Sequence, residues 1–155
     1  MDAAQSSEPL VELTDAPSPE ADEVIEGGLG RFNEQQAGIA DYRRLAVIAR
    51  DRATGEVLGG LTGRTSLGLL FIDLFFLPES LRGGGLGSRM LLLAEEEARR
   101  RGCCAAVLYT ISFQAPGFYE RHGYRVFGEI PCHPPGTSRL FMTKTLGPPA
   151  VTGPP

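Results

Sequence analysis

The 155 residues suffice for one domain with a real hydrophobic core, and an apolar fraction of 42% is ordinary for a globular protein. Nineteen acidic against fifteen basic residues leave a net charge of −4, which excludes non-specific binding to nucleic acid, since that needs a basic surface. No apolar run approaches the ~20 residues of a membrane span, and residues 1–8 lack both the positive region and the apolar core of a signal peptide. The chain is therefore expected in the cytoplasm, without a membrane partner.

Taken in chain order, residues 1–8 are small and polar and read as a flexible N-terminus. Residues 10–14 predict a short first strand. Ser18-Pro19-Glu20 has the form of a helix cap followed by proline at the first helical position, and the helix should run to about Gln36. Gly27, Gly28 and Gly30 weaken it and predict a break. Strands follow at 45–51, 57–65 and 68–77, the first two joined by a turn at 53–56. The third is continuously apolar, which predicts cover on both faces.

Residues 86–101 predict a helix with Leu86, Met90, Leu93, Ala94 and Glu97 on one side. Glu95–Arg99, Glu96–Arg100 and Glu97–Arg101 are spaced as pairs on a solvated face, and Gly102 closes the helix. Then come a strand at 103–111, a short helix at 115–121, a strand at 124–129, a turn at 131–137 and a last strand at 139–146. Residues 147–155 are rich in proline and glycine and read as a flexible tail. The order β-α-β-β-β-α-β-α-β-β gives an α/β fold, a single domain over 9–146 with a mixed sheet and flanking helices. Cys103, Cys104 and Cys132 read as reduced thiols. None has metal spacing with a histidine, so no metal is expected.

The chemistry concentrates in two stretches. Arg82-Gly83-Gly84-Gly85-Leu86-Gly87-Ser88 lies between an apolar strand and an amphipathic helix. That order aims backbone N–H groups and the positive end of a helix dipole at one spot, which makes an anion site. Glycines remove the Cβ atoms that would hold a phosphate away, and Arg82 adds a planar, charged fork. A dinucleotide fingerprint fails because its last glycine falls on Ser88, and a P-loop fails for want of lysine. What remains is R-x-x-G-x-G, on Arg82, Gly85 and Gly87. The second stretch runs from Ser112 to Tyr124, with Ala115, Tyr119, Glu120, Gly123 and Tyr124 at fixed intervals.

Together these motifs resemble those of the GNAT superfamily, the acyl-CoA-dependent N-acyltransferases, over roughly residues 20–146. Arg121 stands where that family has lysine, and Ser112 where it has asparagine. The resemblance implies a fold whose fourth and fifth strands splay apart to admit the pantetheine arm of acetyl-CoA. It implies cofactor contacts at Phe75, Phe76, Leu77, Arg82, Gly83, Gly84, Gly85, Leu86, Gly87, Ser88, Ser112, Ala115, Phe118 and Tyr119. At Leu77 the backbone N–H would meet the thioester carbonyl. It also implies that Tyr119 protonates the departing thiolate, a task suited to a phenol that stays protonated at neutral pH. Asp73 is a carboxylate in an apolar strand, four residues before Leu77 and on the same face by strict alternation. Burial there would raise its pKa toward that of a general base, and pairing with Arg64 is the structural alternative.

The acceptor groove implied by the resemblance draws on Phe32, Asn33, Glu34 and Tyr42. The expected acceptor is a primary amine of a small molecule, which attacks the thioester directly without a covalent enzyme intermediate, and a homodimer is implied. Three alternatives stand beside this reading: a non-catalytic acyl-CoA-binding module, an acetyltransferase for a protein or peptide amine, and a protein binding another nucleotide in the same loop.

Overall fold

A computed structural model describes residues 8–148. The expectations for the terminus at 1–8 and the tail at 147–155 lie, residues 8, 147 and 148 apart, outside the described residues. The chain forms two compact units, one ending at Ala40 and the other beginning at Asp41.

The first unit contains one helix, α1 (Pro19–Ala37). Ser18 caps it by accepting from the Ala21 N–H at 3.1 Å, Pro19 takes the first helical position, and Gly38 closes it at φ +73° with its N–H on the Glu34 carbonyl. The expected break at Gly27, Gly28 and Gly30 does not occur. Each glycine costs about 1 kcal/mol against alanine, a weak preference that capping at both ends can offset. Residues 10–14 do not form the expected strand. Strands need a partner ladder, and here the Thr14 hydroxyl instead accepts from the Ala16 N–H in a local turn.

The second unit carries β1 (Arg43–Arg50), β2 (Val57–Ser66), β3 (Leu69–Phe76), a 3-10 turn at Glu79–Leu81, α2 (Leu86–Arg100), β4 (Ala105–Ile111), α3 (Pro116–Arg121), β5 (Arg125–Cys132) and β6 (Thr137–Thr145). The sheet order is β1-β2-β3-β4-β6-β5. Every pairing is antiparallel except β3 with β4, which are parallel and joined through α2. Their ladder runs only from Leu69–Ala105 to Ile72–Leu108. Beyond it the two strands part, which is the expected splay. Residues 131 and 132, expected in a turn, extend β5 instead. Pro131 is tolerated there because β5 is an edge strand.

A β-bulge on β3 sets what faces the core. Thr62 pairs with Leu74 and Gly63 with Ile72, so Asp73 is the extra residue. Gly63 makes this possible, because a Cβ there would overlap the Phe71 carbonyl oxygen. Leu70 and Ile72 are buried before the bulge, and Leu77 is buried and Phe75 half-buried after it. Asp73, Leu74 and Phe76 are exposed, which corrects the expectation of a strand covered on both faces. The core lies between the sheet and α2. Leu61, Leu70, Leu91 and Met142 are fully buried there, packed with Ala94, Ala98, Leu108, Tyr119 and Tyr124.

α2 is rotated from its expected setting. It buries Met90, Leu91, Ala94, Glu95 and Ala98, while Leu93 is exposed. Of the three expected pairs, Glu97–Arg101 forms at 2.9 Å with the Arg101 side chain largely buried, and Glu97 also takes Arg100 at 3.0 Å on the exposed side. Glu96 is exposed, and Glu95 is fully buried. Glu95 accepts from the Tyr124 hydroxyl at 2.9 Å and from Lys144 Nζ at 2.7 Å, with Arg99 at 3.9 Å. A buried carboxylate is sustained only by such partners.

Candidate active site

A groove of about 360 Å³ opens where β3 and β4 part. Its walls are Phe75 and Leu77 from the end of β3, then Arg82, Gly83, Gly85, Gly87 and Ser88 from the turn into α2. Ala115, Phe118, Tyr119 and Arg121 complete it from α3 and the residue before it. Two separate sequence stretches thus meet in one concavity.

The turn is built as an anion cradle. Gly83 and Gly85 sit at φ +83° and +82°, a region where L side chains are strained. Gly85 is the N-cap of α2 and offers no side chain, so the first N–H groups of the helix have no side-chain partner. A Cβ at Gly83, Gly84 or Gly85 would meet nothing within 4 Å, so the space in front of the backbone is open. Arg82 braces the turn by donating from Nε to the Leu77 carbonyl at 2.8 Å. The lining holds two arginines and no carboxylate. These features fit a phosphate-bearing cofactor at the turn.

The other end is apolar and aromatic. The Phe118 ring meets Phe75 edge-on at 5.9 Å and Tyr119 at 5.2 Å, and Tyr119 meets Tyr124 at 5.7 Å. Burial pushes the Tyr119 phenol up to about 12. It therefore holds its proton at neutral pH and is able to donate it.

Several expected contacts are not part of the lining. Phe76 points away from Phe75 and Leu77 by strand alternation and is exposed. Gly84 and Leu86 belong to the turn but line no wall. The Ser112 hydroxyl is engaged elsewhere, accepting from the Ser138 N–H at 3.0 Å and so tying the β4 end to β6. Gln114, which the sequence reading did not single out, holds the same turn by accepting from the Thr110 hydroxyl and the Ile111 N–H, each at 2.9 Å. Arg121 was also missed as a wall of the groove. Its sequence signal was a cation two residues after Tyr119.

Asp73 departs from expectation in two respects. The bulge removes it from the Leu77 face, and its side chain is 45% exposed rather than buried. Its carboxylate is ion-paired with Arg64, whose guanidinium also lies 4.5 Å over the Phe71 ring. Asp73 thus sits at the point where the strands begin to part, outside the groove lining. Phe32, Asn33 and Glu34 lie in the last turns of α1, in the first unit, and Tyr42 precedes β1 in the second. The three cysteines are free. Cys103 and Cys104 precede β4 rather than lying within it, and burial pushes the Cys103 thiol up.

The comparisons with known proteins agree with this geometry. The family model of the acetyltransferase (GNAT) family matches residues 9–124. An acetyltransferase of Agrobacterium fabrum is 36% identical over 132 residues, covering 85% of this chain and 96% of the relative. A crystal structure of an acetyltransferase from Agrobacterium tumefaciens superposes with a TM-score of 0.81 at 35% identity, over 88% of this chain and 99% of that one. The blasticidin-S acetyltransferase of Streptomyces morookaense is 44% identical over 93 residues, 59% of this chain and 68% of the relative. An aminoglycoside 6′-N-acetyltransferase solved with coenzyme A shares the fold at 17% identity, with a TM-score of 0.60, over 90% of this chain and 98% of that one. The chain belongs to the GNAT acetyltransferase family and is an acyltransferase. Among the described residues, no helix is long and apolar enough to cross a membrane.

Proposed function

We propose that the protein transfers an acetyl group from acetyl-CoA to a primary amine of a small molecule, with an amine-bearing antibiotic as the first candidate acceptor. The observation that carries the reading is the groove, a phosphate cradle at one end joined to a buried, protonated tyrosine at the other. The antibiotic class is supported by the similarity to the blasticidin-S acetyltransferase.

When bound, acetyl-CoA supplies the activated acetyl group as a thioester. The turn from Arg82 to Ser88 holds the pyrophosphate by backbone N–H groups and the Arg82 fork. Phe75 and Phe118 line the path of the apolar arm and keep water from it. The Leu77 N–H serves as the donor for the thioester carbonyl oxygen. Tyr119 holds a proton at its phenol oxygen for the departing sulfur. Asp73, exposed at the bulge where β3 and β4 begin to part, is assigned the proton of the amine that attacks the thioester carbonyl, and its ion pair with Arg64 fixes its carboxylate. Tyr42, which precedes β1 in the same unit as the groove, is assigned to the acceptor. A homodimer belongs to the same reading, supported by β1 and β5 being the outer strands of the sheet among the described residues and by exposed Val126, Phe127 and Ile130 on β5.

Calorimetry with CoA, NADH and ATP tests the cofactor. CoA should bind, and Arg82→Ala should weaken it by about 1–3 kcal/mol, the cost of a lost charge-assisted contact. Binding of NADH or ATP without CoA would overturn the reading.

A further inference from the structure

The groove contains a second cation that the glycine turn does not use. Arg121 is the last residue of α3, on a different element from Arg82 and the turn. Its Nη1 lies back along its own helix, 3.6 Å from where a Cβ would stand at Gly117. Arg121 enters no ion pair among the described residues, whereas Arg64, Arg99, Arg100 and Arg101 all do. Arg82 differs again, with Nε committed to the Leu77 carbonyl beside the N–H groups of the turn.

We infer that Arg121 is a specificity residue that reads the 3′-phosphate on the ribose of coenzyme A, separately from the pyrophosphate held at the turn. The inference rests on the acyl-CoA reading above. The pyrophosphate needs a compact array of donors, and the turn with Arg82 supplies it. The same cofactor carries a third phosphate, which needs a further cation on another wall. An uncommitted guanidinium in a groove lined by no carboxylate supplies that charge and a two-pronged fork for its oxygens. Arg121 thereby separates coenzyme A from carriers that share the pantetheine arm but lack the ribose phosphate.

The test is calorimetric affinity for CoA and for 3′-dephospho-CoA, without turnover. The unaltered protein should prefer CoA by about tenfold or more, the scale of one charge-assisted contact. In Arg121→Gln that preference should fall below about threefold, with dephospho-CoA affinity nearly unchanged. Arg82→Ala should weaken both ligands by a similar factor and keep the preference. An undiminished preference in Arg121→Gln overturns the inference while leaving the acyl-CoA reading intact, as does equal binding of the two ligands by the unaltered protein. Failure to bind CoA at all overturns the reading itself, and this inference with it.

Discussion

In the proposed reaction Tyr119 gives a proton and Asp73 takes one, and the fold places them in opposite environments. Tyr119 is buried among rings, and its phenol is pushed up to about 12, so it stays an acid throughout the neutral range. Tyr119→Phe keeps the ring packing and deletes only the proton. It should lower kcat by about 10–10³-fold while leaving acetyl-CoA affinity nearly unchanged. Full activity in that variant across the pH range would remove the acid role. The same burial has a stability consequence with a definite sign. The folded pKa of Tyr119 lies above its ordinary value of 10, so its contribution is fully present below pH 10 and is lost as pH rises through about 12. Asp73 is instead exposed and held by Arg64, a pairing worth about 0–1 kcal/mol at a surface. Asp73→Asn should therefore leave the melting temperature almost unmoved and lower kcat/KM at neutral pH by about tenfold or more. An unchanged kcat/KM would take Asp73 out of the chemistry.

At the scale of elements, Glu95 fastens α2 to the start of β5 and to β6 through the Tyr124 hydroxyl and Lys144 Nζ. Burial and the neighbouring Glu95 both push the Tyr124 phenol up, which keeps it a donor in this arrangement. Glu95→Ala should destabilise the protein by about 3–5 kcal/mol, because it strands a buried charge and a hydroxyl, whereas Glu96→Ala on the exposed side should be nearly neutral. Equal thermal shifts in the two variants would show that the buried ion pair does not hold these elements. Glu95 also marks the limit of what was legible in the sequence. Three consecutive glutamates followed by three arginines satisfy the same i,i+4 spacing, so the pattern cannot say which one faces the core. The glycine turn, the strand–turn–helix order and the Tyr119 motif were readable because each depends on local spacing. The bulge at Asp73 was not, since an extra residue in β3 is defined only against β2, and one residue reverses every later side chain. The unbroken α1 and the missing first strand failed likewise, because propensity yielded to caps in one case and to the lack of a partner ladder in the other.

At the scale of the whole molecule, two properties follow from the reading. The proposed homodimer predicts a light-scattering mass twice that of the chain at high concentration, and a monomer mass there would contradict it. The central claim is that the groove serves acetyl transfer to a small-molecule amine. The most direct measurement is thiol release from acetyl-CoA over a panel of blasticidin S, aminoglycosides, polyamines, amino acids and peptides. The account predicts amine-dependent release with at least one small molecule, accompanied by its N-acetylated product and lowered at least about tenfold by Tyr119→Phe. Binding of CoA with no amine raising thiol release above the background of hydrolysis, or release confined to peptide amines, would contradict it.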